Sequence, residues 1–372
     1  MTGVSTKGIH GADHLARVPD VVPPINISAT FRYDDDPDTW VKAEDGGKPL
    51  LDNYLYSRVS HPNSEQVEAI VEQITGYPAV VYSGGMPAYN AALTYYDPKT
   101  IAIGHAYHGC RGLANLWTQK FGTKQISIDD EFGGNIGQGD LVHLESPVNP
   151  WGTAIDIQAY ADRAHKVGAI VLVDATFAPP PIQDPFQHGA DIVLHSATKY
   201  FGGHSDLLAG LLLVKDAETK NKLVKERVLL GTNIGSLEAA FLLRSLRTFD
   251  LRVERQWRSA TAIAQHLNDN IDKLSKLTKV YHSSLQTEPF VAKQLVNGHS
   301  PVLSIEVTDE ATAKSIPGKL KYFIHAVSLG GVESSVHWRV LSDKAIAPNV
   351  IRISVGVENV DDLIADLDQA LT

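Results

Sequence analysis

An α/β fold is what these 372 residues predict: a mostly parallel central sheet with helices on both faces, plus a smaller C-terminal α/β part. Three observations carry the expectation. Short apolar runs at 101–104, 140–145, 169–174, 191–195 and 210–214 read as buried strands. Between the second and third runs, 156–167 has helical spacing. Ile157, Tyr160, Ala161 and Ala164 share one face, and Gly168 stands where a helix-ending glycine belongs. Strand, helix, strand at that separation calls for right-handed crossovers and parallel pairing.

Along the chain, 1–52 is rich in Pro, Asp and Gly and has few periodic runs. It predicts an extended arm or capping segment that contributes to subunit contacts and has too little apolar surface to fold alone. Residues 53–235 hold the apolar runs and form the main domain. From 236 onward the texture changes: helical patterns at 236–246 and 259–277, strands at 302–307 and 350–355, and a last helix near 360–371. This predicts a smaller domain over 236–372.

Bulk properties exclude several classes. Composition, 43% hydrophobic and 20% charged, is that of an ordinary globular protein. No uninterrupted apolar stretch of about 18 residues predicts a membrane span, and 1–17 carries no apolar core of a signal or anchor. A formal net charge of −10 disfavours nucleic acid or an anionic membrane as partner. The single cysteine, Cys110, rules out an intrachain disulfide, fits a cytoplasmic protein, and reads as a small buried side chain.

In open α/β sheets, ligands bind beyond the carboxyl ends of the strands. Glu145, Ser146, Pro147, Val148 and Asn149 follow one apolar run. Asp174, Ala175 and Thr176 follow the next, and Ser196, Ala197, Thr198 and Lys199 a third. One such set is ordinary helix-capping chemistry; three on one edge point to a site. Lys199 lies among aromatic and glycine residues, where desolvation turns an amine into a nucleophile for a carbonyl. Ser196 and Thr198 beside it offer hydroxyls for a phosphate. A Schiff-base lysine flanked by phosphate-binding hydroxyls is what pyridoxal 5′-phosphate (PLP) requires, and Asp174 would keep its ring nitrogen protonated. The segment YSGGMP at 82–87 adds backbone N–H groups for an anion where a helix begins. No metal is expected, because His105 and His108 lack an accompanying carboxylate or cysteine cluster. The glycines of GNIGQG at 134–139 lack the strand-then-helix context of a dinucleotide loop.

These pieces together resemble the cystathionine γ-synthase / γ-lyase family, the Cys/Met-metabolism PLP enzymes of fold type I. The resemblance runs over nearly the whole chain. Its most specific element is GADIVLHSATKYFGGHSDLLAG at 189–210, which is similar to the family's cofactor-lysine signature. YLYSRVSHP at 54–62, ESPVNP at 145–150, VLVDATF at 171–177, SLGGVES at 328–334 and IRISVGVE at 351–358 resemble further family blocks.

The resemblance implies roles at matching positions. Lys199 would hold the cofactor and shuttle protons, Asp174 would pair with the pyridine nitrogen, and Tyr107 would stack on the ring and assist proton transfer. Gly85, Met86, Ser196 and Thr198 would hold the phosphate. Tyr56 and Arg58 would reach the phosphate of a neighbouring subunit's cofactor, which implies a homo-oligomer, a tetramer built as a dimer of dimers. Asn149 would touch the cofactor's ring oxygen or the substrate carboxylate. Arg352, with Ser328 nearby, would clamp the α-carboxylate. Glu333 stands where γ-acting members carry a glutamate near a distal amino group.

The chain departs from the family pattern mainly at the substrate end. Asp-Asn-Thr is here Asp174-Ala175-Thr176, Tyr-Gly-Gly is Tyr107-His108-Gly109, and the run after Glu333 reads His337-Trp338-Arg339-Val340-Leu341. The cofactor set is intact while the substrate side differs, so an unusual substrate or nucleophile is expected. The resemblance implies γ-replacement on an O-acylhomoserine-type amino acid, with a thiol or a carbon nucleophile. γ- or β-elimination of cystathionine is the alternative, and a non-catalytic PLP-binding protein the remote one.

Overall fold

Residues 2–42 and 54–372 are described by a computed structural model of the chain. The apolar runs are strands, and they stand in one seven-stranded sheet. In chain order its part of the chain runs α1 (Val4–His10), α2 (Pro62–Thr75), β1 (Ala79–Tyr82), α3 (Gly85–Tyr96), β2 (Thr100–Ile103), α4 (His108–Phe121), β3 (Lys124–Ile126), β4 (Leu141–Glu145), α5 (Ile157–Lys166), β5 (Ile170–Asp174), β6 (Ile192–His195) and β7 (Gly210–Val214). The sheet order is β1-β7-β6-β5-β4-β2-β3. β7 runs antiparallel to β1 and β6, and the remaining pairings are parallel. The predicted mostly parallel sheet is therefore a mixed one with one reversed strand.

Alternation along the strands sorts side chains to two cores. Val81, Val171, Val173 and Val193 face α2 and α5, while Val80, Leu172, Ile192 and Leu194 face α3 and α4. With both faces covered, the strands are apolar throughout, and this is why they were legible as runs rather than as alternating patterns.

The rest of the chain holds α6 (Ala217–Leu230), α7 (Ser236–Leu246), α8 (Phe249–Asp269), β8 (Leu277–Tyr281), α9 (Pro289–Gln294), β9 (Val302–Val307), α10 (Glu310–Ser315), β10 (Ile324–His325), β11 (Ser335–Trp338), β12 (Val350–Ser354) and α11 (Val360–Leu371). A five-stranded sheet, β10-β11-β12-β9-β8, packs against α8 and α11 around a separate core. α8 serves both cores. Phe249 and Val253 belong to the first, and Ala260, Ile263, Ala264 and Leu267 to the second.

Of the extended arm or capping segment, Val4–His10 is helical, with Val4 and Ala12 packed on the main core. Gly8 makes this possible, since a Cβ there would stand 2.7 Å from the Leu246 carbonyl oxygen. A seven-residue segment this polar is stabilised by docking, not by propensity. The last part of the predicted arm, 43–52, lies outside the described residues. The helix expected at 259–277 begins ten residues earlier and ends at Asp269. Its first turns bury Arg252, which hides from sequence patterning because it is charged. Arg252 donates to the carbonyls of Tyr200 and Ser245, each at 2.8 Å.

Candidate active site

The carboxyl ends of β4, β5 and β6 lie side by side, because these strands pair in parallel and in sequence. Glu145 and Asp174 are register partners across β4 and β5, and the loop carrying Lys199 leaves β6 next to them. That loop is a tight turn. Lys199 N–H donates to Ser196 O at 3.0 Å, Gly202 N–H to Ala197 O at 2.8 Å and Gly203 N–H to Lys199 O at 2.6 Å. Tyr200 and Phe201, 1% exposed, anchor it in the core. Gly330 packs on its backbone, and a Cβ there would stand 3.0 Å from the Lys199 carbonyl carbon.

Lys199 Nζ donates to Ser328 Oγ at 2.5 Å. Burial, helped by the positive charge of Arg352 and opposed by Asp174, brings the amine down to about 8. Ser328 holds the left-handed conformation, φ 82°, a backbone state that a non-glycine residue keeps only where the surroundings fix it. Its carbonyl accepts from Arg352 Nη2. Arg352 Nη1 donates to Asn149 Oδ1 at 3.1 Å. Arg352 is buried, and both of these partners are neutral. Desolvation, reinforced by the neighbouring Arg339, lowers its guanidinium to about 9.

Two carboxyls oppose these cations. Asp174 Oδ1 accepts from Thr176 N–H at 3.0 Å and from Thr176 Oγ1 at 2.6 Å; burial still raises the acid. Glu145 accepts the backbone N–H of Tyr107 on one oxygen and that of Asn149 on the other, each at 2.7 Å. Burial and the adjacent Asp174 push the Glu145 carboxyl up. Glu145 was visible in the sequence only as one polar residue among several after its strand. What singles it out is its place opposite Asp174 in the parallel register.

The Gly-Gly segment is also in place. Gly84 precedes α3 with no side-chain cap, so the first N–H groups of that helix are free for an anion. A Cβ on Gly85 would lie 3.3 Å from Ser196 Oγ, and one on Gly210 would lie 2.1 Å from Gly84 O. Glycine at both positions keeps this cradle open. Ser196 N–H donates to Thr176 Oγ1 at 2.9 Å. Thr198 Oγ1 is engaged with the backbone of Ala209, donating to O at 3.2 Å and accepting from N–H at 3.0 Å. Tyr107 stands before α4, its ring 4.4 Å from that of His108, and burial raises its phenol. A Cβ on Gly109 would meet Tyr107 Cε1 at 2.4 Å and Met86 Sδ at 3.0 Å, so that glycine makes room for the Tyr107 ring beside Met86.

Three predicted site residues stand apart. Tyr56 is 47% exposed and pairs by its backbone with Thr30. Arg58, also exposed, donates to Val228 O at 2.9 Å. Among the described residues neither is hydrogen-bonded to the Lys199 cluster. Glu333 folds back over Gly331, its Oε2 2.7 Å from where a Cβ would be, on the side of Ser205. Cys110 is buried, and its thiol is raised well above its ordinary value by desolvation.

Two further residues escaped sequence reasoning. The strand register sets His337 of β11 directly opposite Arg352 of β12. Arg339, just past β11, lies close enough to Arg352, Tyr107 and Glu145 to act on them electrostatically. Their only sequence signal was the departure from the family pattern after Glu333.

Comparison with known proteins covers the whole site. The model of the family described as Cys/Met metabolism PLP-dependent enzyme matches residues 5–372. The L-methionine gamma-lyase of Fusobacterium nucleatum subsp. nucleatum is 31% identical over 100% of this chain and 98% of its own. The cystathionine gamma-synthase of Escherichia coli is 34% identical over 94% of this chain and 92% of its own. The crystal structure of cystathionine gamma synthase from Xanthomonas oryzae pv. oryzae, in complex with aminoacrylate and cysteine, superposes with a TM-score of 0.88. It is 31% identical, covering 100% of this chain and 98% of that one.

Proposed function

This chain belongs to the Cys/Met metabolism PLP-dependent enzyme family, and from that premise we propose that it catalyses γ-replacement on an O-acylhomoserine-type amino acid. The single observation that carries the reading is the buried Lys199 amine, held by Ser328 beside an Arg352 guanidinium that has only neutral partners. An amine of lowered basicity next to an unpaired buried cation suits a carboxylate-bearing substrate whose protons are to be moved.

The residues fit pyridoxal phosphate. Gly85, Met86, Ser196 and Thr198 would hold its phosphate, Asp174 its ring nitrogen, Tyr107 its ring face, and Lys199 its carbonyl carbon. When bound, the cofactor supplies an electron sink that makes the protons next to the amino acid's amine-bearing carbon removable.

The chain's own groups do the rest. Arg352 takes the substrate α-carboxylate in a two-pronged pair, oriented by Asn149 and the Ser328 carbonyl. Lys199 Nζ, neutral once above about 8, accepts the α-proton and returns a proton later, with Ser328 Oγ fixing its direction. Glu145 holds Tyr107 and Asn149 in place through their backbone N–H groups. In the net reaction the Cγ–O bond breaks and a Cγ–S or Cγ–C bond forms. The acyl group leaves as a carboxylate and the nucleophile's proton goes to solvent. Tyr56 and Arg58, exposed in one protomer, would complete the phosphate site of another in a dimer of dimers, and Glu333 would select the distal part of the substrate.

Likeness to two cystathionine gamma-synthases supports replacement. Likeness to a methionine gamma-lyase over the full chain supports γ-elimination as the second reading. Mass spectrometry of products from O-acetyl-L-homoserine, with and without thiol and carbon nucleophiles, separates them. A nucleophile-dependent amino-acid adduct is expected. 2-Oxobutanoate without an adduct would mean elimination, and unchanged substrate would turn the test to β-lyase substrates.

A further inference from the structure

Arg339 is 4% exposed, and among the described residues its Nε is buried without a hydrogen-bond partner. Among the same residues its side chain makes one hydrogen bond, a long contact of 3.4 Å from Nη1 to His337 Nδ1. His337 cannot balance the charge, because burial and two arginines hold it neutral, down at about 4. The adjacent carboxylate, Asp343, is already taken: it pairs with Arg111 at 2.8 Å and accepts Ala345 N–H at 3.1 Å. Glu145 faces Arg339 too, but both its oxygens receive backbone N–H groups. Among the described residues no carboxylate lies within ion-pair distance of Arg339 or Arg352.

Two buried guanidiniums thus act on the same Tyr107 with no ion pair of their own; only Asp343, which Arg111 already holds, and Glu145 oppose their charge from a distance. A buried cation is retained where something anionic arrives to pair with it. The α-carboxylate of an amino acid satisfies one of them, which leaves one positive charge over. Val340, the residue after Arg339, lines a cleft of about 930 Å³ together with His108, Arg111 and Asp343 that opens to the surface. That placement suits a group approaching from outside the amino acid.

We infer that Arg339 is a second carboxylate-binding residue, which recognises a carboxylate on the second component of the reaction, either the acyl group that leaves or the nucleophile that enters. This rests on the γ-replacement reading for its role in turnover, but not for the binding itself. One of the two groups exchanged at the γ-carbon, the one that leaves or the one that enters, is then an acid.

Calorimetric titration of the cofactor-loaded protein with glutarate and with pentanoate tests the binding without turnover. Wild type is expected to bind the dicarboxylate about tenfold more tightly or better, as one added charge-assisted contact implies. Arg339→Gln should erase that preference and Arg339→Lys should keep part of it, both with wild-type circular dichroism and cofactor absorbance. Equal affinities in wild type, or an unchanged preference in Arg339→Gln, would overturn the inference. Should Arg339→Gln fail to fold, the wild-type ratio and Arg339→Lys decide.

Turnover then locates the source. A KM penalty in Arg339→Gln for O-succinyl- but not O-acetyl-L-homoserine assigns the leaving group. A penalty for mercaptoacetate but not 2-mercaptoethanol assigns the nucleophile. Arg339-dependent binding with neither kinetic effect would overturn the role in the reaction. Absence of turnover with every pair in wild type would sink γ-replacement instead, and leave the calorimetry to judge Arg339.

Discussion

Ser328 touches Lys199 and Arg352 with different parts of itself: its hydroxyl oxygen accepts from the amine, and its carbonyl from the guanidinium. The left-handed backbone at φ 82° is what turns both groups to the same side. Ser328→Ala keeps the carbonyl and loses the hydroxyl. A hydrogen bond to a charged group is worth about 1.5–3 kcal/mol, so kcat should fall about 10- to 100-fold while KM for the amino acid changes little. Steady-state kinetics reads the split, and an equal loss in both parameters would move Ser328 from aiming the amine to binding substrate.

Lys199→Ala should remove turnover and the visible absorbance of the bound cofactor together. Normal turnover by this variant would end the assignment of the nucleophilic amine.

A base must be unprotonated to accept a proton. With its amine lowered to about 8, Lys199 becomes competent as pH rises through that value, so kcat should climb with pH and level off above it. Arg352 contributes to the lowering, so Arg352→Gln should shift the limb to higher pH and also raise KM. A pH–rate profile shows both effects, and an unmoved limb would break the link between the two residues.

Glu145 bears on both stability and catalysis. Its carboxyl is raised by burial and by Asp174, from 4.5 in the unfolded chain to about 8. The folded state therefore binds the extra proton between these values, and stability falls as pH rises through that window. In cofactor-free protein, Glu145→Gln should flatten the fall of the thermal midpoint between about pH 5 and 8. It should also lower kcat, because an amide cannot accept the N–H groups of both Tyr107 and Asn149. Parallel midpoint curves for variant and wild type would contradict this.

Away from the site, Arg227 pairs with Glu68 at 2.7 Å, with side chains 2% and 9% exposed. Glu68 also accepts Val81 N–H at 3.1 Å, and Arg227 donates to Val81 O at 2.7 Å. Burial alone would raise the Glu68 carboxyl; Arg227 and Lys220 outweigh it and hold it low. Arg227→Ala leaves that buried carboxylate with only the looser Lys220 contact at 3.5 Å, and should cost about 3–5 kcal/mol in urea unfolding. A loss under about 1 kcal/mol would mean that water replaces the guanidinium.

The sequence was most legible where burial is two-sided. VLVD and IVLH are apolar on every residue but the last, and their strands fall within one residue of expectation. β1, β3, β8, β10 and β11 were not foreseen. KQI and IH are very short, and LTKVY and SVHW mix polar with apolar positions. In the site, Lys199 and Asp174 could be named because their loops follow clear strands. Glu145 was one polar residue among several and Arg339 a departure from pattern, because the neighbours that give them meaning lie about 30 and 13 positions away, brought close by the register of β4 with β5 and of β11 with β12.

The 21 residues of α8 form a rod of about 30 Å that is rooted in one core at its start and in the other at its end. No loop interrupts it, so the two sheets have no hinge there and cannot swing apart like jaws at that crossing. Any relative movement of the two sheets at that crossing has to bend the helix or turn about its axis.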